Sequence, residues 1–493
     1  MKKIKWLTGI ASLFLVLALS ITSCSDDDPC ADVTCPSGTV CSDGNCVTTD
    51  PCLNVTCGTD EVCSDGTCVS INVDPCADVN CPDGQVCSDG TCVDTDPCTG
   101  VTCDPGFSCV EGNCIQNTTV VGGFVETSTW TSDNIYILAG KVVVPEGVTL
   151  TIEAGTVIKG QEGVGTLASA LIVARGGKIM ANGTADAPII MTSVLDDIQP
   201  GETSGTSLNP TQNGLWGGLI ILGRAPISVE AGLESQIEGI PADDAFGAYG
   251  GDDPNDDSGV IRYVSVRHGG ASIGEGNEIN GITFGGVGNG TVVEHVEVVA
   301  NQDDGIEMFG GTVNVNYALV WAQGDDAYDI DQAYSGTIDK FIYIAGPESD
   351  HAFEIDGPEG AANADGRYTL SNGYLMGLSD NGAEYADHRD GAQGTEMNCY
   401  FFNFDESRAD FDIDDDASAA NYLAGTLVFT GLEFNDSRPL SDVSHIDKAT
   451  NLADADFDAS FAMDNSISNG PSFNLDMTMF AWTFASDQGA IGQ

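Results

Sequence analysis

Asp303-Asp304-Gly305-Ile306-Glu307-Met308 returns as Asp325-Asp326-Ala327-Tyr328-Asp329-Ile330, Asp350-His351-Ala352-Phe353-Glu354-Ile355 and Asp380-Asn381-Gly382-Ala383-Glu384-Tyr385, at offsets of 22, 25 and 30 residues. Self-similarity at a period of about 20 to 50 residues marks a solenoid. A neutral version, Asn280-Gly281-Ile282-Thr283-Phe284, precedes the first copy. Positions four and six are apolar in every copy. Strand alternation turns them inward and places positions one, three and five on the outer face. Coils stacked about 4.8 Å apart would then carry two columns of carboxylates. Asp303, Asp325, Asp350 and Asp380 form one column, and Glu307, Asp329, Glu354 and Glu384 the other, with a lane of Gly and Ala between them. Acids so close repel unless protons, cations or a basic partner intervene. Calcium, which takes about six to eight oxygen ligands, is the candidate cofactor. The plainer alternative is that these acids are solvated surface residues.

The 493 residues hold 75 Asp plus Glu against 16 Lys plus Arg, a formal charge of −59. That field opposes nucleic acid and anionic lipid and favours divalent cations and basic partners. At 42% hydrophobic content the chain has the means to build a core. Its 61 Gly and short apolar runs point to many strands and turns.

Residues 1–23 read as a secretory leader, with Lys2, Lys3 and Lys5 ahead of an apolar stretch. Leu19-Ser20-Ile21-Thr22-Ser23-Cys24 resembles a bacterial lipobox, which makes Cys24 the expected lipid anchor and the membrane the expected attachment. Residues 24–29 form an acidic tether. Residues 30–114 contain four modules: Cys30, Cys35, Cys41, Cys46; Cys52, Cys57, Cys63, Cys68; Cys76, Cys81, Cys87, Cys92; and Cys98, Cys103, Cys109, Cys114. Each has four, five and four residues between successive cysteines. Units this small bury too little surface to fold unaided, and in an exported chain disulfides are favoured over four-cysteine zinc sites. Spacing leaves three pairings open in each module. The array is expected to act as a stalk, or else as a protein-binding array of its own.

Residues 118–493 are expected to form an all-β, right-handed parallel β-helix with a C-terminal cap from about Asn435, rather than a propeller or a β-sandwich array. Residues 196–214 and 241–258 read as protruding loops. Trp216, following a polar loop, is expected at the surface, and Trp321, ending an apolar strand, in the core. His268 and His295 read as structural. No nucleophile elbow, phosphate loop or zinc-binding helix motif is present.

The cysteine modules resemble short EGF-like repeats, which implies pairing of first with third and second with fourth cysteines. Leu171-Ile172-Val173-Ala174-Arg175-Gly176-Gly177-Lys178-Ile179, Gly214-Leu215-Trp216-Gly217-Gly218, Arg262-Tyr263-Val264-Ser265-Val266-Arg267-His268-Gly269-Gly270 and Asp303-Asp304-Gly305-Ile306-Glu307 resemble Bacteroidota surface β-helix proteins. Ser25-Asp26-Asp27-Asp28 resembles their export tag. The resemblance implies a lipid-anchored protein at the cell surface, on the outer membrane, working beside a TonB-dependent receptor and without established catalytic residues. The expected role is binding or adhesion, toward a glycan or another surface protein. The alternative is a polysaccharide lyase or glycoside hydrolase, for which His388, Arg389 and His351 are the candidate acid and base groups.

Overall fold

Gly, Asp and Asn turns interrupt the apolar runs of the large domain before any strand grows long. In the computed structural model, residues 29–491 are described except 49–51, 53, 71–74, 83, 95–96, 99, 105, 242–243 and 273–278. The expected leader at 1–23, the expected anchor Cys24 and residues 25–28 of the expected tether lie outside the described residues. Twenty-five strands join in one continuous array, and every pairing within it is parallel.

Register sorts the array into three sheets. The first climbs from Thr149–Ile152 and Lys178–Asn182 through the leading halves of Gly259–Arg267, Val292–Val299, Asn314–Trp321, Thr337–Ile344, Tyr368–Met376 and Gly394–Phe402. The trailing halves of the same long strands make the second sheet, above Val157–Gly160 and Ile189–Ser193. The third comprises Ala170–Val173, Leu219–Leu222, Ile282–Gly285, Ile306–Phe309, Tyr328–Asp331, His351–Asp356, Glu384–Arg389, Phe411–Ile413 and Ser444–Ile446. This is a parallel β-helix, and the acidic phrase belongs to its third sheet.

A left-handed residue turns each coil from the first sheet to the second. Tyr263, His295, Tyr317, Lys340, Asn372 and Asn398 occupy that corner with φ between 49° and 62°, a region that non-glycine residues seldom adopt. Stacking outside the corner holds it: Tyr263 on His295 at 4.3 Å and His295 on Tyr317 at 4.5 Å. His295 is thus one rung of an aromatic pile. His268 is buried, with Nδ1 2.6 Å from the Gln212 carbonyl.

Inside, Val, Ile and Leu of the early coils give way to aromatic rings. Phe353 meets Phe401 at 5.7 Å, and Phe401 stacks on Phe434 at 4.9 Å. Two helices close this end. Asp415 caps α1 (Asp416–Ala424) by accepting from the Ala417 and Ser418 N–H groups. Phe457 and Phe461 of α2 (Asp454–Phe461) complete the aromatic core. The covering therefore begins before Asn435. Beyond it the chain turns back, and Leu475, Phe480, Ala485 and Ala490 pack on Leu319, Ile342 and Ile344 of the second sheet's outer face. This strap is locked by Glu297, which is buried and accepts from the Phe484 and Ala485 N–H groups at 3.0 and 2.9 Å.

Each cysteine module is a small hairpin with two disulfides, first to third and second to fourth, as in Cys30–Cys41 with Cys35–Cys46 and Cys98–Cys109 with Cys103–Cys114. The chain divides into units 1–97 and 98–493. The fourth module belongs with the β-helix, where Gln116 bonds Gln199.

Candidate functional site

One outward row of the third sheet runs in register through Val143, Ile172, Ile220, Thr283, Glu307, Asp329, Glu354, Asp387 and Asp412 to His445. Its character changes along the way. The first members lie under an insertion at 224–251, whose Ile227, Val229, Ile237, Ile240 and Tyr249 pack on Ile172, Ile220 and Leu222. Where the insertion ends the row becomes acidic. Protrusion at 241–258 is thus only partly right, because much of the second loop is a lid folded onto the sheet. The 196–214 loop is likewise tied down, its Thr203 carbonyl accepting from buried Arg267 at 2.9 Å.

Register corrects the expected columns. Glu307, Asp329 and Glu354 do stack, but the fourth copy is displaced. Tyr385 and Ala386 both face the interior, and both their N–H groups approach the Asp410 carbonyl, at 3.1 and 3.4 Å. The two strands pair in one unbroken register that runs three residues later than the phrase repeat, and an odd offset exchanges the two faces, so Asp387 takes the place expected of Glu384, which pairs with His351 instead. Asp380 stands exposed in a turn ahead of the strand.

The lane of small residues is absent from the outer face. In the first two copies the strand begins only at position four, and in the third, where it begins at His351, Ala352 and Phe353 are both buried, so alternation does not govern positions one to three. Ala327 and Ala352 belong to the core. A Cβ on Gly305 would collide with Val320 and stand 2.7 Å from the Ala327 carbonyl. Position three is small because it points inward at a tight corner. Asp325 and Asp350 are exposed on that corner, and Asp303 is half-buried.

Position two carries acids that the sequence reading left aside. Asp304 Oδ1 accepts from the Asp326 N–H at 2.9 Å, and Asp326 Oδ1 from the His351 N–H at 2.7 Å, tying each coil to the next. Asp304, Glu307 and Asp329 bring one oxygen each within 4.8 Å of one another, as do Asp303, Asp304 and Asp325, while Asp326, His351 and Glu354 offer a mixed set. Two residues past the main row, Asp331 and Asp356 add a second acidic row, whose next member is Arg389. Glu238 reaches in from the insertion and shares Asn280 with Glu307.

Burial, then the charges of neighbouring acids, holds Asp304, Glu307 and Asp329 well above the usual carboxylate range. The same causes lift Asp325 to about 6 and Asp356 to about 8. Asp331 rises to about 7 through burial and Glu359, and Asp412 to about 7 through burial and Asp410. Burial opposes the charge on His351, but the hydrogen bond and charge of Asp326, with Asp350 and Glu384, lift it to about 9. Asp329 Oδ1 is buried without a hydrogen-bond partner. Such a set fits a hard divalent cation, which would replace the protons the acids otherwise retain.

Of the candidate acid and base groups, His388 is enclosed. It takes an inward position, with Nε2 2.6 Å from buried Glu396 and Nδ1 2.7 Å from the Asp412 carbonyl. The same register that sets Asp387 beside Glu354 sets His388 beside inward Ile355. Arg389 does lie on the acidic face, pairing with Glu354 and, at 2.7 Å, with Asp356. His351 is half-buried and bound to Asp326 at 2.8 Å. The two tryptophans exchange their expected places. Trp216 is buried, donating to the Arg267 carbonyl at 2.7 Å, whereas Trp321 is half-exposed.

Comparison with curated proteins and with solved structures gives no match. The sequence profile of the pectate-lyase-like β-helix domain matches residues 122–483, well over half of the chain. With three stacked parallel sheets over the same span, the chain belongs to that family.

Proposed function

We propose that this is a surface-held binding protein, tethered to the outer membrane through lipid on Cys24, whose third sheet captures calcium between successive coils. The observation that carries the reading is the Asp304, Glu307 and Asp329 group: three acids on two adjacent coils, one oxygen from each within 4.8 Å of the others, with Asp329 Oδ1 buried and without a hydrogen-bond partner. A cation there relieves the repulsion that pushes these groups to retain protons. Calcium fills its remaining positions with water, which oxygens of a glycan or of another surface protein can displace. A TonB-dependent receptor is the membrane partner in this reading. The charge of −59 argues against nucleic acid.

Thermal melting of the full chain, first in chelator and then with calcium raised to millimolar, tests the site. A ligand that binds only the folded state raises the midpoint. Glu307→Gln combined with Asp329→Asn should remove most of that rise while the variant still folds. No rise in the wild-type protein at millimolar calcium would reject cation capture.

Arg389, set among Glu354, Asp356 and Asp387, favours a second reading: a polysaccharide lyase or hydrolase acting on the same face. His351 and Arg389 are its remaining candidates, since His388 is enclosed. Product release from a polysaccharide, abolished by Arg389→Ala, would establish it.

A further inference from the structure

The outer face of the second sheet carries a different site. Trp321, Ile344, Met376, Phe402 and Asn435 occupy one outward row, in register on five successive coils. The C-terminal strap covers the neighbouring row at Leu319, Ile342 and Tyr374 and overlaps this one at Ile344 and at one edge of Trp321, whose ring lies 6.1 Å from that of Phe484. What remains open is a groove of about 840 Å³, within the range of small-ligand sites. Trp321, Met376 and Phe402 form a half-exposed floor. The strap supplies one wall through Gln488, and the turns at Gly377–Ser379 and Asn403–Glu406 supply the other.

The polar rim consists mainly of acceptors. Asn403 Nδ2 donates to the Gly377 carbonyl at 3.0 Å and Asn435 Nδ2 to the Tyr400 hydroxyl at 3.1 Å, which leaves their amide oxygens. Asp405 and Glu406 add carboxylates, each already engaged by a neighbouring serine, and no Lys or Arg lines the groove. An anionic ligand is repelled by such a rim, and a wholly apolar one would leave its acceptors desolvated and unpaired. The occupant that satisfies both floor and rim has aliphatic C–H faces to lie on aromatic rings and many hydroxyl donors at its edge. We infer that this groove binds a neutral oligosaccharide, at a site separate from the acidic face.

Trp321 is also a reporter. Among the described residues Trp130, Trp216 and Trp482 are buried, so with Trp6 replaced by Phe in every sample a ligand that shields tryptophan from a soluble quencher acts at Trp321. The full chain, kept in chelator so that the acidic face holds no cation, is titrated with neutral gluco-, galacto-, manno- and xylo-oligosaccharides, with oligogalacturonate and with a lysine-rich peptide. The expected result is saturable binding of at least one neutral sugar, with protection from quencher. Trp321→Ala should weaken binding at least tenfold, by calorimetry, without altering the calcium-dependent melting shift. Ser379→Arg, an exposed rim substitution that puts a long cationic chain beside Asp405, should weaken it similarly if the alanine variant fails to fold. Binding confined to oligogalacturonate or to the peptide overturns the assignment, as does failure of every neutral sugar at millimolar concentration or affinity unchanged in both variants.

Discussion

His388 and Glu396 meet at 2.6 Å in a core otherwise built from rings such as Phe411 and Phe429, and Tyr368 donates to the same carboxylate at 3.0 Å. Removing the imidazole leaves that carboxylate enclosed and short of a partner. His388→Ala should therefore cost about 3–5 kcal/mol, read as a lowered urea midpoint, while the calcium response of the acidic face is unaffected. An unchanged midpoint would mean that the pair holds nothing together. At Glu307 the sign reverses, because in the metal-free protein burial, and then the charges of Asp329, Glu238 and Asp304, oppose its ionisation. Glu307→Gln should raise the melting temperature in chelator while lowering the calcium-induced gain, and a lower temperature in chelator would contradict the repulsion. The inward residues Ile306, Met308, Tyr328, Ile330, Phe353 and Ile355 were legible in the sequence because period-two alternation is a property of the strand itself. Position three was misread because it sits at the corner that opens the strand, where alternation does not yet hold. His388 was misread because the fourth phrase runs three residues ahead of the register in which its strand pairs, and a change in coil length leaves no mark in an apolar-polar pattern.

The C-terminal strap is held by apolar contacts and by Glu297, whose carboxylate accepts two N–H groups from Phe484–Asp487 (α3). Deleting residues 472–493 uncovers Leu319, Ile342 and Ile344 and leaves Glu297 buried beside Arg267 without those donors. The truncated protein should melt lower and bind a hydrophobic dye in its native baseline. Equal melting and no added dye binding would show the strap to be dispensable. The strap had no signal in the repeats, since its residues follow no period and its contacts span up to 284 positions along the chain. The strands of the third sheet were legible because each repeats the one before. The left-handed corner from Tyr263 to Asn398 was not, because Tyr, His, Lys and Asn share its backbone conformation without sharing a chemistry.

Raised carboxyl groups make a statement about the whole molecule. Asp331, Asp356 and Asp412, at about 7, 8 and 7, keep protons in the folded state that the unfolded chain gives up near pH 4. Their contribution to the stability of the metal-free protein is therefore fully present at low pH and declines as pH rises from about 4 toward 8. His351, lifted to about 9, acts in the same direction, its contribution fading as pH passes from about 6.5 through that value. Melting in chelator should be higher at pH 5.5 than at pH 8.5, and the calcium gain should be larger at pH 8.5, where the acids are already charged. A metal-free midpoint that climbs with pH would refute the account. Thiol reductant addresses the other unit. Each of the first three modules depends on two disulfides and exposes Val residues such as Val40, Val62 and Val86. Reduction should abolish their hairpins, read as loss of amide protection at 30–92, and leave the main melting transition in place.

A solenoid is extended or shortened by whole coils. Because every coil from Ile306–Phe309 to Phe411–Ile413 contributes one carboxylate to the same row, gene-level duplication of a single coil would lengthen the charged strip by one rung. The lid at one end and the helices at the other would stay intact. The molecule thus carries a ruler, graduated in steps of one strand spacing, whose reading can change while its two ends remain the same.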